Sequence, residues 1–292
     1  MSKNMTKIVC LAAFSRTDLL RESLESIAEA RRHSNYLLLV LQQDSNIEVS
    51  KILKDFEQQI DYMIHTQSMG KSALQNINLN RIKCYEYSFD FLKADYVVAI
   101  EDDTVISEDS LKFVDFAMDK YCNNPLYRGV NLGSKEVIGT NETYSLLRYG
   151  LMGQAAGLPL KTWKNFKIEK LKKKSLSLPF DSLLESYLKS GFMVTPNRSK
   201  MYDRGWEGTH FNTSQSDIHF AQMKASWLGY ESGPIPTSYN KLSIPHFWRK
   251  DSVTFKLIDQ PKYYLIYLIS NFRQIELILR ILLRAVKRIV RN

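Results

Sequence analysis

The chain has 292 residues, 44% of them hydrophobic, and a formal net charge of +9. That is enough apolar material for one large domain or two fused halves. Three cysteines, Cys10, Cys84 and Cys122, lie far apart in no CxxC pattern, which argues against a disulfide framework or a zinc site and fits a reducing compartment. The basic excess is local. Residues 262–292 hold seven Lys or Arg against Glu276 alone, so the main body is mildly basic and no nucleic-acid partner is expected. The apolar run Ile8–Phe14 is too short for a signal peptide, so the sequons at Asn141 and Asn212 carry no weight.

In chain order, Lys7–Phe14 reads as a first buried strand, followed by Ser15-Arg16-Thr17-Asp18 and a helix to about Arg32. Leu19, Leu20, Leu24 and Ile27 give that helix its apolar face. A second strand, Tyr36–Leu41, ends in Gln42-Gln43-Asp44. A helix around Val49–Gln59 and a weak strand at Tyr62–His65 follow. This alternation predicts a doubly wound α/β sheet, with Arg16 and Asp44 each just past a strand end, where such folds contact a nucleotide. Gly70-Lys71-Ser72 is not a phosphate loop, because His65 stands where the motif needs glycine. Asn78–Ala94 then reads as a helix with Ile82, Tyr85, Phe89 and Leu92 inward.

Tyr96–Ser107 (YVVAIEDDTVIS) organises the rest. Its apolar, β-branched start is a strand buried on both faces, and it runs into Glu101, Asp102 and Asp103. Three adjacent carboxylates repel one another, and such crowding persists where a cation or ligand uses it. Hard oxygen donors at a strand end suit a divalent cation that in turn grips phosphates. The structural alternative is a solvated turn before a Ser107–Tyr121 helix, capped by Ser107 with Glu108 and Asp109 facing the helix dipole. Beyond Tyr121, glycines from Gly129 to Gly157 punctuate short, irregular segments, and Lys161–Lys174 carries seven lysines. Pro179 and Asp181 open another helix, Phe192–Thr195 is a strand, and Tyr202–Asp217 has the composition of a lid loop.

Together these pieces resemble the inverting GT-A glycosyltransferases that add N-acetylglucosamine, the N-acetylglucosaminyltransferase I and protein O-mannose β-1,2-N-acetylglucosaminyltransferase family. AFSRTDLLRESLESI is similar to that family's first strand and arginine-led helix, and VLQQDS to its VSQD segment. RIKCYEYSFDFLKADYVVAIEDDTVIS resembles its helix and Glu-Asp-Asp motif. LMGQAAGLPLKTW, LPFDSLLESYL and VTPNRSKMYDRGWEGTHFN resemble later acceptor-side segments, in order, over residues 7–220. The resemblance implies a GT-A fold in which Asp103 holds Mn²⁺ or Mg²⁺ bridging the donor diphosphate. Glu101 and Asp102 would contact ribose and sugar or hold water on the ion, and Arg16 and Asp44 would recognise the uridine. Asp181 matches the general base, with Glu207 and Asp217 in reserve, and the Gly205–Asn212 stretch matches a loop folding over donor. His246 is a weaker second-ligand candidate. Phe180-Asp181-Ser182-Leu183 departs from the family's Trp-Asp-x-Trp, so acceptor stacking differs.

The domain expectation is a GT-A unit over residues 1–257, with a nucleotide-sugar half to about 125 and a loop-rich acceptor half after it. A basic amphipathic tail, 258–292, would follow. In that tail Arg273, Glu276, Arg280, Arg284, Lys287 and Arg291 recur three or four apart opposite Phe272, Ile275, Leu279, Leu282, Val286 and Ile289. Such a helix is expected to lie on an anionic membrane surface, on the cytoplasmic side, rather than to span it. The expected partners are a UDP-sugar donor and a glycan or lipid-linked glycan acceptor. Two rivals are a non-catalytic carbohydrate-binding or scaffold protein on the same fold and a sugar nucleotidyltransferase. The latter needs a glycine-rich phosphate loop, and CLAAFSRTD has no glycine.

Overall fold

In the computed structural model the described residues are 5–70, 72–134, 142–147, 154–166, 188, 191–205 and 236–241, all within the compact unit Met1–Lys241. The first half alternates as the sequence predicts. Strand β1 (Lys7–Ala13), helix α1 (Thr17–Arg31), β2 (Leu37–Gln43), α2 (Ile47–Asp55) and β3 (Tyr62–Thr66) come first. Helix α3 (Ala73–Glu86), β4 (Tyr96–Glu101), β5 (Thr104–Ile106) and α4 (Ser110–Tyr121) follow. The later described elements are β6 (Tyr127–Asn131), β7 (Thr143–Leu147), β8 (Ala155–Pro159), α5 (Leu160–Asn165), β9 (Phe192–Pro196), β10 (Met201–Asp203) and β11 (Asn240–Lys241).

The described strands form a nine-stranded sheet in the order β11-β7-β9-β6-β8-β4-β1-β2-β3, with β10 and β5 as a separate pair. Five of its eight pairings are parallel; β8 runs antiparallel to both β4 and β6. Both faces are covered, and the two-residue period of the strands sorts side chains between two cores. Val9, Leu11, Leu38, Val40, Val98 and Ile100 face α1, α2 and α4. Ile8, Cys10, Leu39, Leu41, Val97 and Ala99 face α3 and Trp163. Leu20, Leu24 and Ile27 of α1 are fully buried, as their spacing predicts, and each contributes about 1.5–3 kcal/mol. Asn46 caps α2, its side chain accepting from the Glu48 and Val49 N–H groups at 2.9 and 3.3 Å.

This winding places a crevice. The chain steps from β1 outward to β2 and β3 over one face, then returns by α3 on the other face to β4, on the far side of β1. Strand order therefore reverses between β1 and β4, the position at which open α/β sheets bind ligands.

Several boundaries differ from the sequence reading. Helix α3 starts at Ala73 rather than Asn78, with the Ser72 hydroxyl accepting from Gln75 N–H at 3.3 Å, and it ends in a wider turn over Tyr87–Phe91. The second helix stops at Asp55, and a single 3-10 turn, Glu57–Gln59, completes the segment. Ser107 does not cap α4. Its hydroxyl hydrogen-bonds Asp109 at 2.7 Å and Ser110 at 2.9 Å, and the helix begins at Ser110 with Asp109 in the cap position but making no capping bond. Among the described residues no helix is long and apolar enough to cross a membrane. Asp181, residues 206–219, His246 and the 258–292 tail lie outside the described residues.

Candidate functional site

A cavity of about 400 Å³ opens at the carboxyl ends of β1, β2 and β4. One wall is the strand-end sequence Ala12 to Arg16, and the floor is Glu101, Asp102 and Asp103. The opposite wall is a stripe of α3: Ala73, Asn76, Ile77, Asn80, Arg81 and Cys84. Those positions are three or four apart, the spacing of one helix face. The volume lies in the range of small-ligand pockets.

The three carboxylates are neutralised separately. Glu101 pairs with Arg81, which is 7% exposed. Asp102 accepts the Phe14 N–H at 2.9 Å, and its carbonyl accepts the buried Ser23 hydroxyl at 3.1 Å. Asp103, 7% exposed, pairs through Oδ2 with Arg16, while its buried Oδ1 has no hydrogen-bond partner among the described residues. Burial pushes the Asp102 carboxyl up to about 6; the Phe14 N–H and Arg16 oppose the shift and Glu101 adds to it.

A fourth carboxylate, Asp203, was not foreseen. Strand β10 runs antiparallel to β5 and sets Asp203 opposite Thr104. Asp203 accepts the Gly205 N–H at 2.8 Å, and Arg204 N–H donates to the Asp103 carbonyl at 2.8 Å. Burial, then the Glu101 charge, raises Asp203 to about 7. Gly205 has no room for a side chain: a Cβ would overlap Asp103 and Arg16.

Of the residues singled out from sequence, Arg16, Glu101, Asp102 and Asp103 line one cavity. Asp44 is not in its lining. It sits one residue beyond Gln43 with φ 55° and accepts the Ser68 N–H at 2.8 Å and the Ser68 hydroxyl at 2.6 Å, which hold its carboxyl below the usual range. Gln43 takes the inward place, bonded to Asn80 of α3 and, at 2.6 Å, to Ser68. Gln43, Asn80, Arg81 and Asp203 were missed. The α3 stripe was detectable as a helical spacing that mixes asparagine and arginine with apolar residues; Asp203 had no local signal.

The donor set fits a hard divalent cation at one carboxylate. Asp103 offers a buried, unpartnered oxygen, and ions that act on phosphates need only one or two protein carboxylates. The triplet is not a ready-made cage. Among the described residues, the group of three ligating side chains whose donor atoms lie within 4.8 Å of one another is Glu29, His33 and Glu108, outside the cavity. There His33 already contacts Glu108 at 2.5 Å, and Glu29 pairs with Arg32 at 2.6 Å.

Burying Asp203 has a pH signature. A carboxyl raised from 3.8 to about 7 holds its proton better in the folded state, so stability falls as pH rises through that window. Asp203→Asn is expected to stabilise the ligand-free protein at pH 8 by on the order of 2–4 kcal/mol, with the gain fading toward pH 4. Thermal melts across pH check it; a gain independent of pH would count against the assignment.

No family model matches the sequence, and no curated protein matches it either. Solved structures do. S. aureus TarS 1-349 in complex with UDP matches at a TM-score of 0.50 and 11% identity, over 77% of this chain and 72% of that one. The same TarS fragment with UDP-GlcNAc matches at 0.46 and 10% identity, over 77% and 73%. A longer TarS chain matches at 0.47 and 11% identity; the match covers 76% of this chain but only 43% of that one. The likeness is one of fold: a mixed α/β architecture with a large, mostly parallel sheet.

Proposed function

We propose that the chain is a divalent-metal-dependent glycosyltransferase that takes its sugar from a UDP-sugar. The observation that carries this reading is Asp103: a buried carboxylate with one unpartnered oxygen, on the floor of a pocket at the sheet's switch point. UDP is the nucleotide to try first, because the TarS structure of the same fold was solved with it. N-acetylglucosamine is the sugar of choice on the resemblance of the sequence to the N-acetylglucosaminyltransferase I type.

Asp103 would hold the ion, which supplies charge stabilisation for the departing diphosphate. Arg81 and Arg16 add fixed positive charge to the walls. Gln43 and Asn80 offer amide donors and acceptors for a base, and Phe14 and Ile77, both 48% exposed, offer apolar cover for its face. The transfer is inverting, with Asp181 taking the proton of the acceptor hydroxyl. The acceptor is a glycan or lipid-linked glycan, and residues 262–292 hold the enzyme on the anionic inner face of the membrane.

Calorimetry with UDP, Mn²⁺ and both together tests the donor side. UDP is expected to bind in the presence of Mn²⁺ and to lose most of its affinity on chelation. A folded protein that binds UDP equally with and without the ion, or not at all, would overturn the reading. A hydrolysis screen of UDP-, GDP- and CMP-sugars then fixes the donor.

A further inference from the structure

Each member of the acidic triplet has its own counter-group, but the three counter-groups differ in how firmly they are held. Arg81 is buried on helix α3, and the partner of Asp102 is a backbone N–H. Arg16 is neither. It precedes the first turn of α1, its own side chain caps nothing, and 32% of that side chain remains exposed. Its guanidinium lies against Asp103 Oδ2, while Oδ1 of the same carboxylate stays unpartnered.

A carboxylate this small cannot serve a guanidinium and a divalent ion at once without bringing two cations together. A free ion at Oδ1 is therefore opposed by the Arg16 charge, and its affinity is reduced accordingly. A nucleoside diphosphate changes the balance. Its phosphates give the guanidinium a bidentate anionic partner, a geometry that arginine matches and lysine does not.

We propose that Arg16 is a resident counter-ion for Asp103, exchanged onto the diphosphate when the divalent ion arrives, so that nucleotide and ion bind with positive coupling. This rests on the UDP-sugar reading above. By linkage the coupling is reciprocal: whatever factor UDP adds to the affinity for Mn²⁺, Mn²⁺ adds to the affinity for UDP. Gly205 belongs to the same arrangement, since a Cβ there would strike both Asp103 and Arg16 and push the pair apart.

The test measures Mn²⁺ binding to the full chain by electron paramagnetic resonance, without nucleotide and with saturating UDP. The native chain is expected to bind Mn²⁺ weakly alone and much more tightly with UDP. Arg16→Gln should bind Mn²⁺ alone about 10-fold more tightly, and the enhancement by UDP should shrink by a similar factor. Arg16→Lys keeps a cation on Asp103 and should leave the affinity for Mn²⁺ alone near the native value. Gly205→Ala reaches the same pair from the other side and should likewise raise the affinity for Mn²⁺ alone. If the native chain shows Mn²⁺-dependent UDP binding but Arg16→Gln and Gly205→Ala leave Mn²⁺ binding unchanged or weaker, the counter-ion role is overturned and the donor reading stands. If neither the native chain nor the folded variants bind Mn²⁺ with UDP, both fall.

Discussion

Replacing Asp103 with alanine is expected to lower UDP-sugar turnover by about 10³-fold or more while leaving the protein folded. A metal acting on a leaving diphosphate contributes several kcal/mol to the transition state, and about 4 kcal/mol corresponds to three decades in rate. Stability should move far less. The partner released by the substitution, Arg16, is 32% exposed and can rehydrate, so no buried charge is stranded. Asp103→Asn should be nearly as inactive as Asp103→Ala, because an amide oxygen is a poor substitute for a charged ligand. Glu101 gives the contrasting case. Glu101→Gln takes the charged partner from the buried Arg81 guanidinium, so that substitution should reduce stability as well as turnover. The diagnostic result is therefore a split between activity and melting temperature, present at Asp103 and absent at Glu101. Turnover that survives Asp103→Ala, with or without a change in melting temperature, would remove the metal site from this residue.

Much of this frame was readable because its signals are local. Five apolar residues ending in three acids mark β4 and its turn without any tertiary information, and Leu20, Leu24 and Ile27 mark the inner face of α1. What escaped depends on contacts distant in sequence. Asn76, Asn80 and Arg81 turn inward to line a cavity, so α3 has polar residues on a face that packs inward, and its contrast between faces is weak. That is why the sequence pattern places its start five residues late, at Asn78. Asp203 comes beside the acidic turn only because β10 pairs with β5 about a hundred residues earlier. The antiparallel strand β8, between β4 and β6, was hidden too: its Ala155, Ala156 and Gly157 read as loop. Gly157 is small because the Tyr96 ring fills the space a Cβ would need. Asp44, at the same strand end, accepts two hydrogen bonds from Ser68, while its neighbour Gln43 lines the cavity.

The second large effect is one of stability, at a residue that touches no ligand. Lys200 is completely buried, and its ammonium pairs with Asp109, which is 2% exposed. The ammonium lies 5.2 Å from the Phe113 ring centre and 5.0 Å from that of Tyr239. Burial draws the Lys200 pKa down to about 8, and the Asp109 charge limits the fall. Asp109 also accepts the Tyr239 hydroxyl at 3.0 Å and the Ser107 hydroxyl at 2.7 Å. Lys200→Met would take the buried ammonium away from that carboxylate, at a cost of about 3–5 kcal/mol. For a unit of this size the melting temperature should fall by roughly 2–4 °C per kcal/mol. Adding Asp109→Leu should recover part of the loss, because no charge is then stranded, although the Ser107 and Tyr239 hydroxyls lose an acceptor. The consequence extends to the site. The Lys200 carbonyl accepts the Ser107 N–H at 2.9 Å and the Ser110 hydroxyl at 2.7 Å, tying the start of α4 to the strand that carries Asp203. A Lys200→Met protein should therefore lose Mn²⁺-dependent UDP binding at temperatures where the native chain keeps it, and regain it in the double variant. A double variant as unstable as the single one would mean that Lys200 acts through packing of its stem rather than through its charge.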